Sequence, residues 1–131
     1  MAKNTEHFLF SKEHEWLEMM DDHKARIGIT FFAQQELGDI VFIEMPDVGD
    51  EIVAGESMGT IESVKAVSDI FTPVSGEVVK VNEELEHAPE TINSDPYNEG
   101  WLVEVRISDN SQLKNLMNEK EYRSFIEQGE E

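Results

Sequence analysis

The chain has 131 residues, with 29 acidic against 10 basic side chains, a formal charge of -19 and no cysteine. That length suits one domain with one modest core, and a charge of that sign repels phosphate backbones and anionic headgroups, so neither nucleic acid nor a membrane surface is expected as a partner. Without cysteine there is no disulfide framework, thiolate metal site or cysteine nucleophile, and any redox chemistry must be brought in.

The start, Met1 to Glu6, has no apolar signal core, and no run approaches membrane-spanning length. A cytoplasmic monomer is expected, or a mitochondrial-matrix protein if a transit peptide has been removed. Phe8-Leu9-Phe10 and His14 to Met19 read as short extended segments, separated by the polar Ser11-Lys12-Glu13. Asp21-Asp22-His23-Lys24 is a turn. Ala25 to Ile29 then alternates into Thr30, a good helix N-cap; Ala33 and Leu37 share one face before Gly38 ends a helix of about two turns. Ile40 to Glu44 is a strand that Pro46 stops, and the turn Asp47-Val48-Gly49-Asp50 follows.

After Glu51-Ile52-Val53 and a turn at Ala54-Gly55-Glu56, Ser57 to Ile61 and Val67 to Phe71 are β-prone runs with Lys65 between them, which predicts a hairpin with a lysine near its tip. The tip lacks the Asn-Gly or Asp-Gly of a favoured two-residue turn. The surrounding sheets must therefore present Val64-Lys65-Ala66, with Gly76 allowing a tight neighbouring turn. Lys65 is expected to be exposed, and Ile61, Val67, Val78 and Val103 to support the core beneath it. Gly49 to Val53 and Gly76 to Val79 form a faint internal repeat. Asn82 to Gly100 is polar and punctuated by Pro89 and Pro96, an ordered loop with a short helical piece near Glu84 to His87. Trp101 to Ile107 is the last clear strand. Leu113, Leu116, Met117, Tyr122, Phe125 and Ile126 recur at helical spacing, giving a C-terminal helical segment over about 110–127. Short strands with helices mainly at the end predict a mainly-β sandwich in one domain, 1–131.

By itself Lys65 reads two ways: a solvated charge that discourages edge pairing, or an amine whose acylation removes its charge and lengthens its arm. Glu62-Ser63-Val64-Lys65-Ala66, followed by Ser68-Asp69 and Pro73-Val74-Ser75-Gly76-Glu77-Val78, resembles the lipoyl-lysine site of the glycine cleavage H-proteins. Biotinyl domains usually have Met on both sides of the lysine, where this chain has Val64 and Ala66. Glu62 three before the lysine, Gly76 eleven after it and Gly49 ahead of it match the pattern read by the lipoyl-attaching enzyme. The resemblance implies a barrel-sandwich hybrid over about 25–107, with lipoate amide-linked to Lys65. It also implies a carrier, not an enzyme, which takes an aminomethyl group from the glycine decarboxylase (P-protein) to the aminomethyltransferase (T-protein). The dihydrolipoyl arm then goes to the dihydrolipoyl dehydrogenase (L-protein). Family members hold the loaded arm through acidic and hydroxyl side chains, at positions matching Glu15, Asp69 and Thr72.

One departure is Phe31-Phe32 after Ile29-Thr30, where the family usually has an acidic residue followed by an aromatic or histidine. This pair is either a partner patch or extra core packing. His14-Glu15-Trp16-Leu17-Glu18 lacks the second histidine of a zinc-protease helix, and His7, His23 and His87 have no ligand spacing, so no metal is assigned. Two other readings stay open on sequence: a related carrier serving other lipoyl domains or another lipoate-linked pathway, and a plain acidic β-domain that binds a basic protein.

Overall fold

Residues 5–128 are described in a computed structural model. β1 (Leu9–Phe10), β2 (Glu15–Met19) and β3 (Lys24–Ile29) run antiparallel. The turn between β2 and β3 is set by the Asp21 carboxylate, which accepts from the backbone N–H of His23 at 2.8 Å and of Lys24 at 2.7 Å. A short acidic side chain satisfying the backbone two and three residues on is a local device, so it is legible in sequence. Thr30 caps α1 (Phe31–Leu37) by accepting from the Ala33 N–H at 3.2 Å, and Gly38 ends it.

β4 (Ile40–Glu44), β5 (Glu51–Ile52), β6 (Ser57–Ser63), β7 (Val67–Phe71), β8 (Gly76–Val81) and β9 (Val103–Ile107) complete two antiparallel sheets. One has six strands in the order β1-β2-β3-β9-β8-β5 and the other three, β4-β6-β7. The two repeat segments pair with each other: β5 lies antiparallel to β8, with Ile52 opposite Gly76. The predicted mainly-β sandwich is thus present, and its core lies between the sheets, where Ile27, Ile61, Ile70, Val78, Val103 and Val105 are buried. The stretch from Asn82 to Gly100 is ordered by α2 (Glu84–His87) and α3 (Thr91–Ser94), each of which buries one aliphatic side chain, Leu85 and Ile92.

A second, aromatic cluster of Phe8, Phe10, Trp16 and Tyr122 fastens the C-terminal segment to β1 and β2. The Tyr122 ring stacks on Phe10 with centroids 4.7 Å apart, and the Trp16 indole N–H donates to the Pro96 carbonyl at 2.9 Å. The helical run divides into a 3-10 helix (Asn110–Asn115) and α4 (Glu119–Glu127), the latter opened by an Asn118/Glu121 capping box. Between them Met117 and Phe10 exchange backbone bonds of 2.8 Å in each direction, and that bridge needs extended backbone.

One core residue read from the sequence is corrected. Val67 is 68% exposed, whereas Ile61, Val78 and Val103 are buried. Its cross-strand partner is the exposed Glu62, and side chains directly opposite on antiparallel strands share a face, so both point outward. Ile70 supplies the inward position on β7.

Candidate functional site

The β6-β7 hairpin closes with the Ser63 N–H donating to the Ala66 carbonyl at 2.8 Å, leaving Val64 and Lys65 as its tip. Among the described residues His14 is the one non-glycine residue with positive φ, so neither tip residue adopts the left-handed conformation of the favoured hairpin turns. The Ser63 side chain supplies the closure instead. Its Oγ, on a residue only 5% exposed, accepts from the N–H of Lys65 at 3.2 Å and of Ala66 at 3.1 Å. From the other side, the Val64 N–H donates to the Asp39 carbonyl at 3.0 Å. The tip is therefore held by bonds from two directions while Lys65 stays exposed.

The Lys65 stem crosses Gly38, where a Cβ would stand 3.4 Å from Lys65 Cε. Gly38 also has φ 84° and ψ -156°, a backbone region that essentially only glycine adopts. From Ile27 to Val79 Lys65 is the only basic residue, amid exposed Glu36, Asp39, Glu44, Glu62 and Asp69. Acylating Lys65 would remove the one cation from this part of the chain.

The matched residues are spread over both sheets. Glu62 is exposed on β6 in a cross-strand row with Phe42 and Val67, three positions from the lysine. Gly49, with φ 98°, makes the turn before β5, and its N–H donates to the Val78 carbonyl at 2.8 Å. Gly76 opens β8 in the six-stranded sheet, where a Cβ would stand 2.1 Å from the Arg106 carbonyl oxygen. Close approach of two backbones requires this glycine, and not the tight turn expected of it; its φ lies outside the positive range.

Glu15 and Thr72 come together in a groove of about 330 Å³ lined also by Ser11, Phe71 and Leu116. Glu15 is 3% exposed, and its Oε1 accepts from Ser11 Oγ at 2.6 Å. Burial pushes its carboxyl up to about 7, against the opposing pull of the Ser11 hydroxyl; neighbouring Glu13 adds to the rise and a bond from the Phe71 backbone lowers it. Thr72 Oγ1 donates to the Val74 carbonyl at 2.6 Å, so its remaining capacity is that of an acceptor. Asp69 does not line the groove. It stands exposed on the outward face of β7, two positions before Phe71, and accepts from Ser57 Oγ at 3.2 Å. Of the phenylalanine pair, Phe31 is 50% exposed, whereas Phe32 packs on the His14 ring at 4.7 Å.

The sequence does not mark Ser63, Ser11 or Asn93 as site residues, and it marks Gly38 only as a helix stop. A hydroxyl two residues before a turn residue is a recognisable turn signal, so Ser63 was within reach. The bonds of Ser11 are local, to Glu15 four residues on, whereas the contacts of Asn93 depend on segments brought together by folding, and nothing local announces them.

The model of the glycine cleavage H-protein family matches residues 8–129. The chain belongs to that family. It is 55% identical to the glycine cleavage system H protein of Coprothermobacter proteolyticus over 117 residues, 89% of this chain and 92% of that protein. With the protein of the same name from Carboxydothermus hydrogenoformans it shares 52% over 119 residues, 91% of each chain. The crystal structure of the Mycobacterium marinum H protein superposes with a TM-score of 0.85 at 37% identity, covering 92% of this chain and 97% of that one. Membership makes the protein a carrier component and not a catalyst, and gives its two sheets the lipoyl-domain-like barrel-sandwich architecture. The relatives named are bacterial, and among the described residues no helix is long and apolar enough to cross a membrane.

Proposed function

We propose that this H-protein carries lipoate on Lys65 and moves an aminomethyl group between the enzymes of a glycine cleavage system. The observation that carries the reading is an exposed lysine at a hairpin tip that backbone bonds hold from two directions, on a strand that leads toward the groove of Glu15 and Thr72. Residues on both sides of the hairpin fit the group: the Lys65 amine is open to an attaching enzyme, and Glu62 stands beside it on the exposed face. Amide formation joins Nζ to the acyl carbon of an activated lipoyl donor and releases one Nζ proton with the donor's leaving group.

Once attached, lipoate supplies a dithiolane on a flexible stem, which takes up the aminomethyl group as it is reduced. Lysine plus an eight-carbon acyl chain spans roughly 10 to 15 Å. Asp69 lies four positions along β7 from Lys65, about 13 Å at ordinary strand rise, and Phe71 six positions, about 20 Å. Asp69 falls within that reach, and Phe71, Thr72 and Glu15 lie beyond it at the end of the strand. Asp69, Thr72 and the ionised form of Glu15 offer acceptors, which suits an alkylammonium, and Glu15 and Thr72 are buried from water. An ammonium beside Glu15 also favours its ionised form.

The decarboxylase, the aminomethyltransferase, the dihydrolipoyl dehydrogenase and a lipoyl-attaching enzyme are then the successive partners. Intact mass of natively expressed protein should show one lipoyl adduct, peptide mapping should assign it to Lys65, and Lys65→Arg should carry none. A lipoyl group found on another lysine in that variant would refute the site.

A further inference from the structure

Asn93, on α3, grips the loop that leaves α1. Its Nδ2 donates to the Gly38 carbonyl and to Gln34 Oε1, each at 2.9 Å, while its Oδ1 accepts from the Ile40 N–H at 2.9 Å. Both amide hydrogens and the carbonyl oxygen of one side chain are thereby used on residues that frame Asp39. Gln34 is 7% exposed and Ile40 3%, so these bonds are shielded from water.

The Ile40 N–H and the Asp39 carbonyl belong to the same peptide unit. In a planar trans peptide they point in opposite directions. By holding the Ile40 N–H, Asn93 therefore sets the direction of the Asp39 carbonyl, and that carbonyl accepts from the Val64 N–H at 3.0 Å. The two bonds also polarise one another through the shared peptide. The chain of contacts runs from Asn93 through peptide 39–40 to Val64 and so to the neighbouring Lys65.

We propose that Asn93 is a positioning residue for acylation of Lys65, orienting the Val64-Lys65 tip through the peptide between Asp39 and Ile40. It rests on the reading of Lys65 as the attachment site. Asn93 does not touch the lysine, and its bond to the Gly38 carbonyl also closes the end of α1. The two roles separate by substitution. Asn93→Ala removes all three bonds. Asn93→Asp keeps an acceptor for Ile40 and loses the donors to Gly38 and Gln34.

The test uses the full chain before acylation, with a lipoyl-attaching enzyme, lipoate and ATP, following kcat/KM for acylation by intact mass and exchange of the Val64 amide by NMR. Losing one shielded hydrogen bond corresponds to about a fivefold change in an equilibrium or rate ratio. Asn93→Ala should lower kcat/KM for acylation and speed Val64 exchange by about that factor, and Asn93→Asp should recover most of both. Val105→Ala, a cavity in buried β9, should lower the unfolding midpoint without either effect when assayed well below its transition. Wild-type values of both quantities in Asn93→Ala, or equal slowing in Val105→Ala, would overturn the assignment. Should Asn93→Ala not fold, Asn93→Ser, whose hydroxyl stops short of Ile40, is read the same way. A wild-type chain that accepts no lipoyl group would sink the attachment reading instead, and Val64 exchange would still decide whether Asn93 holds the tip.

Discussion

Replacing Glu15 by Gln should make stability at neutral pH higher than in the wild type, because it removes a carboxyl whose ionisation burial disfavours. The folded carboxyl keeps its proton up to about 7, against an ordinary value of 4.5. Between those values the folded state binds more protons than the unfolded chain, so the Glu15 contribution is fully present below pH 4.5 and is lost as pH rises through 7. A gap of about 2.5 units at 1.36 kcal/mol each is about 3 kcal/mol. Glutamine stays neutral throughout and keeps an oxygen for the Ser11 hydroxyl, which donates at 2.6 Å. The advantage of Glu15→Gln should therefore be near zero at pH 4.5 and grow to about 3 kcal/mol by pH 8, a rise of 1 to 2 M in urea midpoint at roughly 2 kcal/mol per M. Urea titrations of both proteins from pH 4.5 to 8.5 measure it, because the other carboxylates are common to the two and cancel in the difference. A gap that stays constant across that range would refute the reasoning, since Glu15 would then not titrate there. The same variant lacks the anion that the groove offers to an ammonium.

Ser63→Ala should leave the Lys65 and Ala66 N–H groups to water, costing about 1 kcal/mol of stability and several-fold in acylation rate, whereas Ser63→Thr keeps the hydroxyl and most of the rate. Acylation time courses by intact mass decide this, and an unaffected Ser63→Ala rate would show that the closure has no bearing on presentation. Association of the carrier with the decarboxylase should slow as salt rises, because the carboxylates around Lys65 face the partner and the screening length is only about 10 Å at 0.1 M. Stopped-flow rates across a salt series test it. A flat series rejects steering, and weaker binding by Phe31→Asp at an unchanged salt slope would assign recognition to the exposed ring.

Local chemistry made much of this protein readable without coordinates. The Asp21 turn, the Thr30 cap and the Gly38 stop each depend on bonds within a few residues, so they could be found in order along the chain. Alternation marked most strands, and the residues around Lys65 marked the hairpin and its family. Facing was harder. Val67 fits a β-prone run equally well on either side of the sheet, and only its pairing with Glu62 turned it outward. Gly76 looked like a turn residue because a sequence does not show how near the Arg106 backbone passes. The groove joins Ser11, just past β1, and Glu15 on β2 to Phe71 and Thr72 at the end of the other sheet, and the Glu15 carboxyl is raised chiefly because that packing removes water. Asn93 stands 28 positions beyond Lys65 and acts through a peptide 25 positions before it. The sequence by itself determined which segments become strands and which lysine stands at a tip, because those follow from short-range propensity and periodicity. Only the tertiary structure decided which side chains hold that tip still and which carboxyl keeps its proton, since both depend on contacts between residues far apart in the chain and on their shared exclusion of water.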